Sequence, residues 1–380
     1  MNIGVVREKA PFERRVALTP SVVRALVENG SRVWVESGAG DGAMFRDDHY
    51  IRAGAHIAYS PAEVLHRCEL VAKVPAPTLE ELDLCPPNTT VLAFYHLAVA
   101  SRRLYERLVE RSITAVGGEI IEAAGGRLPV LGAISEIAGQ MTVPLAMNLL
   151  RTSSGGRGIM LGGSPGVPPA TVVILGAGAV GTWAARAAAA AGARVSVLDI
   201  DTDKLRHVMT HVPSLSTGLA DPDSVAAAVA EADVLIGAVL VAGRKTPHVV
   251  TRRMVETMKP GSVIIDVAID QGGCVETSRP TTLSDPAFIH HGVVHYCVPN
   301  LTADMARSTS IALAQALLPY LELLSEQGIV QALRASEELA RGVYAFGGQC
   351  VRSGLADALG VPCKPLSDML AEAAAAGSKG

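Results

Sequence analysis

TVVILGAGAVGTWAARAAAAAGARVSVLDID, residues 171–201, sets the fold of this chain. Residues 172–175 are an apolar, partly β-branched run that reads as a strand. Gly176-Ala177-Gly178-Ala179-Val180-Gly181 then supplies G-x-G-x-x-G. Residues 182–191 are alanine-rich and helix-forming, and Gly192 stands where a helix C-terminal glycine belongs. Residues 194–198 read as a second strand, followed by Asp199. Alone, G-x-G-x-x-G is a weak signal. A strand before it, a helix after it and an acid about 20 residues on make it a dinucleotide fingerprint. The first glycine permits the turn, the second lets backbone approach a pyrophosphate, and the third lets helix and strand pack closely. The helix N-terminus offers unpaired N–H groups to the phosphates. Asp199 is expected to accept a hydrogen bond from a ribose 2′-OH and to repel a 2′-phosphate, which favours NAD over NADP. The competing reading is a buried βαβ unit with no ligand.

The remaining 349 residues flank this unit in a chain of 380, enough for two or three domains of about 100–200 residues. A hydrophobic share of 49% allows a sizeable core. The net charge of −4 argues against a nucleic-acid partner, which calls for a basic footprint. The cysteines (Cys68, Cys85, Cys274, Cys297, Cys350, Cys363) are scattered without a C-x-x-C pair, so a reduced, cytoplasmic protein is expected and no metal. The opening MNIGVVREKAPFERR places charge where a signal peptide needs its apolar segment. No run is read as reaching the ~18 apolar residues of a membrane span. The longest, near 184–193 and 311–324, are broken by Arg186 or by Gln315, Pro319 and Glu322.

Strand and helix patterns alternate from the start. Residues 2–6, 32–36, 70–74, 90–94 and 113–116 read as strands, and 20–29 and 101–111 as helices, with a capped start at Ser60-Pro61-Ala62-Glu63. Residues 135–151 are a long helical pattern, followed by a glycine-rich loop to Gly166. Beyond residue 201, strands are expected at 233–238, 262–268 and 294–298, and helices at 224–232 and 251–258. Residues 304–324 form a second long helical pattern, and the tail is read as helical, fraying in AEAAAAGSKG. The fold class is α/β: two doubly wound, mostly parallel Rossmann-like sheets joined by long helices, with a cleft between them. The expected domains are 1–134 with 306–380, and 135–305.

Ligands of such sheets sit beyond the carboxyl ends of strands, so the polar residues there are the candidates. Arg15, in ERRVALTP (13–20), has the planar fork that grips a carboxylate, or is a solvated arginine. Lys73, within LVAKVP (70–75), reads as a carbonyl or carboxylate binder, or as a strand-edge lysine. His96, in VLAFYHLA (91–98), is a proton donor and acceptor if it is not structural. Asp270 ends the strand pattern IIDVAID and precedes Gly272-Gly273; it either touches the nicotinamide ribose or water, or caps the turn. Asp266, inside that pattern, is the weaker candidate.

These residues carry a resemblance. ERRVALTP (13–20), AKVPAP (72–77), FYHLA (94–98), SEIAGQM (135–141), GAGAVG (176–181), ADVLIGAVLV (232–241) and IDVAIDQGGCVETSRPTT (265–282) resemble the alanine dehydrogenase family, which shares its fold with the soluble α-part of nicotinamide nucleotide transhydrogenase. The likeness spans roughly residues 1–365. It implies Arg15 and Lys73 as substrate binders and His96 and Asp270 as the catalytic pair. It implies NAD contacts from Ser135, Gly176, Gly178, Ala179, Val180, Gly181, Asp199, Lys204, Val239, Leu240, Val267, Asp270 and Arg279. Val298, Asn300 and Leu301 join them near the nicotinamide. It further implies a cytosolic homohexamer acting on a small amino acid and 2-oxo acid, with no membrane partner.

The implied reaction is reversible oxidative deamination: amino acid, NAD and water give 2-oxo acid, ammonia and NADH. The surroundings depart from the family: Ala133-Ile134 replaces Pro-Met, Tyr95 replaces Leu, and Gly118 replaces the tyrosine of a Tyr-Glu pair. Specificity is therefore expected around Tyr95, Gly118 and Ile134, with alanine or a larger amino acid as substrate. The alternatives are reductive coupling of a 2-oxo acid with another amine, a transhydrogenase-like hydride carrier, and a non-catalytic NAD-binding protein.

Overall fold

The computed structural model describes residues 1–212 and 214–377. Fifteen strands lie among the described residues. The first six are β1 (Asn2–Val5), β2 (Arg32–Glu36), β3 (His56–Ala58), β4 (Leu70–Pro75), β5 (Thr90–Phe94) and β6 (Thr114–Gly117). Then come β7 (Thr171–Leu175), β8 (Arg194–Asp199), β9 (Leu215–Leu219), β10 (Val234–Gly237), β11 (Val263–Asp266), β12 (Ala287–His290) and β13 (Val293–Tyr296). The last are β14 (Val343–Phe346) and β15 (Gln349–Cys350). Four helices matter below: α1 (Leu79–Leu84), α2 (Pro129–Leu149), α3 (Ala179–Ala190) and α4 (Ala306–Ala335).

The chain divides into two compact units. Unit 1 holds Met1–Ile134, the short stretch Ala242–Arg244 and the chain from Ala303 onward; unit 2 holds Ser135–Val241 and Lys245–Thr302. In unit 1 the sheet order is β15-β14-β6-β5-β4-β1-β2-β3. Strands β1 to β6 are parallel, whereas β14 and β15 are antiparallel. Every residue of β5 and β6 is buried, as expected of parallel strands covered on both faces. The two faces carry separate cores. Phe94 packs with Val74, Val130 and Leu313 on one side, and Tyr95 with Leu108, Tyr344 and Leu355 on the other.

In unit 2 the order is β12-β13-β11-β10-β7-β8-β9, parallel except for the edge strand β12. Chain order reverses direction between β7 and β10, the switch point of a doubly wound sheet, which is where such folds bind ligands. Both sheets are the α/β, Rossmann-like class expected from the alternating patterns.

Several details differ from the sequence reading. The tail is not simply helical: β14 and β15 complete the first sheet, and the helix Leu366–Gly377 covers most of AEAAAAGSKG, of which residues 378–380 lie outside the described residues. VYAF is too short to stand out beside helix-forming neighbours, and its pairing with β6 makes it a strand. The helix expected at 135–151 starts earlier, at Pro129, because proline is well suited to a first helical turn. The helix expected from 304 begins as a 3-10 turn, Leu301–Met305; α4 then runs to Ala335, broken at Gly328, where φ is +72°. The strand expected over 262–268 stops at Asp266, so Asp270 lies in the 3-10 turn Val267–Gln271 and not at a strand end. The described helix Ala124–Leu149 is long and apolar enough to cross a membrane, contrary to the apolar-run count, because small residues extend its apolar stretch. Its Ala138, Met141, Val143, Ala146 and Leu149 pack into the core of unit 2.

Candidate active site

In unit 2 the nucleotide turn follows from three glycines with three different reasons. Gly176 has φ +103°, and a Cβ there would lie 2.4 Å from the Ala238 carbonyl oxygen. At Gly181 a Cβ would lie 1.8 Å from the Gly176 carbonyl oxygen, so helix α3 packs on the turn only without a side chain. Gly178 caps α3, and a Cβ there would meet nothing within 4 Å. That open backbone at a helix N-terminus is a cradle that suits a pyrophosphate. Ala179 is exposed and Val180 half-buried at the first helical positions.

Asp199, 8% exposed at the end of β8, ties this turn down. Its Oδ2 accepts from the Ala177 N–H at 2.6 Å and its Oδ1 from the Asp201 N–H at 2.9 Å. The carboxylate that sequence context aims at a ribose therefore also fixes the glycine loop. Lys204, in the first turn of the next helix, is exposed.

The other candidates gather at the carboxyl ends of β10, β11 and β13. Val239 and Leu240 follow β10. Asp270 accepts from the Asn300 N–H at 2.7 Å, so the turn after β11 and the loop after β13 are tied together; Asn300 has φ +53°. Val267 is half-buried, while Val298 and Leu301 are buried beside these groups. From β8 to β11 is three strand spacings, about 14 Å, which orders the sites from the adenosine side to the nicotinamide side. Ser135 is half-buried on α2, and Arg279 is exposed with its guanidinium 4.4 Å from the Phe288 ring centroid. Asp266, the weaker candidate, is a structural anchor: 1% exposed, it accepts from the Cys274 N–H at 3.0 Å and the Val275 N–H at 3.1 Å. Burial pushes its carboxyl up despite those bonds.

In unit 1, Arg15 lies in the loop after β1 and is 3% exposed. Its Nε donates to Glu13 Oε1 at 2.8 Å and its Nη2 to Glu13 Oε2 at 2.5 Å, a bidentate pair that fixes the plane of the guanidinium. His96 sits two residues beyond β5, half-buried, with φ +47°.

Lys73 is not at a strand end. It lies inside β4, 2% exposed, with Nζ 2.6 Å from Glu8 Oε2 and 3.3 Å from Glu81 Oε1. Glu8 Oε1 also accepts from the Val74 N–H at 2.7 Å, and Glu81 closes the capping box of α1 with Thr78. Burial alone would lower the Lys73 ammonium, but the charges of Glu8 and Glu81 outweigh it and hold it above its ordinary value. Burial pushes Glu8 up to about 7, against the pull of Lys73. The lysine is thus engaged in a buried triad with two carboxylates, inside the strand and not at its end. Neither glutamate was singled out in the sequence; the signal was a charged residue close behind β1 and an acid three residues after Thr78.

Tyr95, expected to shape specificity, is 2% exposed, donates its O–H to the Val91 carbonyl at 2.9 Å and packs edge-on to Tyr344 at 6.0 Å. It points away from the core that holds Phe94, because neighbours on a strand face opposite sides. Gly118 and Ile134 are on the Phe94 side: a Cβ at Gly118 would lie 3.4 Å from both Phe94 and Val130.

The sheet of unit 2, its switch point and its glycine turn define a dinucleotide-binding α/β protein. Models of the alanine dehydrogenase/PNT N-terminal and C-terminal domains match residues 4–138 and 142–353, and the chain belongs to that family. It is 39% identical to an alanine dehydrogenase of Methanococcus maripaludis over 98% of this chain and 100% of that one. A solved structure of an L-alanine dehydrogenase matches with a TM-score of 0.88 at 42% identity, over 95% of this chain and 99% of that one. A transhydrogenase from Sinorhizobium meliloti matches with a TM-score of 0.77 at 25% identity, over 93% and 100%.

Proposed function

We propose that this chain is an NAD-dependent amino-acid dehydrogenase that reversibly converts an L-amino acid and water to a 2-oxo acid and ammonia. The observation that carries the reading is the glycine turn closed by Asp199 and open at Gly178, in a chain whose near-full-length relatives are named alanine dehydrogenases. Unit 2 is the NAD-binding domain, and unit 1 the substrate domain. The turn at Gly176, Gly178 and Gly181 takes the pyrophosphate, and Asp199 the adenosine ribose. Bound NAD supplies the hydride acceptor. Arg15, oriented by Glu13, grips the substrate carboxylate bidentately and so fixes Cα. His96 takes the proton from the water that adds to the imine and returns it in the reverse direction. Asp270 orients the water or ammonia. Lys73, held by Glu8 and Glu81, polarises the carbonyl of the 2-oxo acid.

The protein is further read as a cytoplasmic homohexamer, the assembly its family resemblance implies, which light scattering on the full chain checks. The dehydrogenase reading prevails over a transhydrogenase-like one on identity, 42% against 25%. The test is NADH appearance with NAD and a panel of L-amino acids from glycine to bulky and basic ones, and NADH loss with 2-oxo acids and ammonia or other amines. Turnover of alanine or a larger member supports the reading; no turnover in either direction overturns it.

A further inference from the structure

Glu119 lies in the 3-10 turn Gly118–Ile120 after β6 and is 2% exposed. Its Oε1 accepts three hydrogen bonds: from the His96 N–H at 2.7 Å, the Tyr95 N–H at 3.1 Å and the Tyr344 O–H at 2.9 Å. The donors come from β14 and the end of β5, the two strands that flank β6. Tyr344 reaches the carboxylate because Gly117 leaves room: a Cβ there would lie 2.4 Å from the tyrosine ring.

His96 has φ +47°, a left-handed backbone that a β-carbon disfavours, so its orientation depends on what holds it. The bond from its own N–H to Glu119 is such a hold. Among the described residues, two buried polar atoms here lack a hydrogen-bond partner: Glu119 Oε2 and His96 Nδ1. One is an acceptor and the other, in the right tautomer, a donor. The 2.7 Å bond ties the Glu119 carboxylate to the backbone of His96, the residue that carries the second atom.

We propose that Glu119 is the positioning residue of His96, its Oε2 accepting from Nδ1–H directly or through one water, so that Nε2 is the nitrogen that moves the proton. Tyr344, on the C-terminal strand, donates to the other oxygen, Oε1. The inference rests on His96 being the acid–base group of the proposed reaction. It differs from a purely structural role in one respect: a carboxylate on Nδ1 stabilises the imidazolium as well as the tautomer.

The other titratable groups around the carboxylate do not compete. Tyr95 and Tyr344 are pushed well up, first by burial and then by Glu119 itself, and stay neutral. Burial likewise pushes the Cys85 thiol, just past α1, up to about 12. Arg352 lies over the Tyr344 ring, 6.0 Å from its centroid.

The test is titration of His96 in the full-length protein labelled with carbon-13 histidine, its resonance assigned by its loss in His96→Ala. Glu119→Gln is expected to lower the His96 midpoint relative to the parent, and to move the acid limb of kcat/KM in the same direction. Tyr344→Phe keeps the charge and takes one donor from Oε1, so its midpoint is expected at or above that of the parent. A folded Glu119→Gln whose midpoint is unmoved or higher overturns the proposal, whatever its activity. A midpoint lowered in Tyr344→Phe overturns it too, and that variant decides the matter if Glu119→Gln does not fold. The titration needs no turnover. A chain that oxidises no amino acid, yet shows the expected change, refutes the dehydrogenase reading and keeps only the contact between Glu119 and His96.

Discussion

Replacing Glu8 by glutamine is expected to remove a pH dependence from the stability of unit 1. Two carboxylates flank the Lys73 ammonium, and burial pushes Glu8 from 4.5 up to about 7. In the unfolded chain the carboxyl returns to its ordinary range. Between roughly pH 4.5 and 7 the folded state therefore binds a proton that the unfolded state does not. Stability is highest below the unfolded value and falls as pH rises through the folded one. The difference of about 2.5 units corresponds to about 3 kcal/mol across that window. The assay is urea unfolding at pH 5, 6, 7 and 8 in a Trp183→Phe background. Trp34 on β2 is then the tryptophan that reports, and it reports unit 1. The parent is expected to lose up to about 3 kcal/mol between pH 5 and 8, and Glu8→Gln to flatten that loss. Equal slopes in the two proteins would refute the argument, since the titrating group would then lie elsewhere.

Gly181→Ala is expected to destabilise unit 2 by about 1–3 kcal/mol in a thermal or urea melt, because its Cβ would sit 1.8 Å from a carbonyl oxygen. Gly178→Val should melt like the parent yet lose at least about tenfold in NADH affinity by fluorescence titration, since its side chain fills the cradle. Asp199→Ala should weaken NAD binding and narrow the preference for NAD over NADP, checked by the ratio of kcat/KM for the two cofactors. All six cysteines are free and only Cys363 is exposed, so native thiol titration should give one fast thiol and the denatured protein six.

The turn at Gly176–Gly181 was legible in the sequence because each glycine answers to a local constraint: a positive φ, an open cap, a close approach. The parallel strands were legible as short apolar runs, since burial on both faces leaves little room for polar residues. The triad at Lys73 was not legible because LVAKVP has no means of showing that two acids, 65 residues upstream and 8 downstream, converge on it. Glu119 was visible only through the resemblance; its bond to His96 is between residues 23 apart, and its other partner, Tyr344, is 225 residues away on a strand with no distinctive pattern. Specificity is expected around Tyr95, Gly118 and Ile134, but the two-residue period already puts Tyr95 opposite Phe94, away from the other two. Local rules thus recovered elements and turns, while ion triads and cross-strand carboxylates waited on topology.

The antiparallel strand β14 has a consequence for how the polypeptide assembles during synthesis. Unit 2 draws almost entirely on one continuous stretch, so its strands can pair as soon as they leave the ribosome. The first sheet waits. Until Val343 meets Val116, β6 is an open edge with unpaired backbone groups, and it stays so while more than half of the chain is still being made. Closing so long a loop costs little more than closing one half as long, because the entropy grows only as the logarithm of length. The burden of this topology is therefore exposure time: a ribosome that stalls before β14 leaves a nascent chain with a finished nucleotide domain and a sticky, incomplete partner.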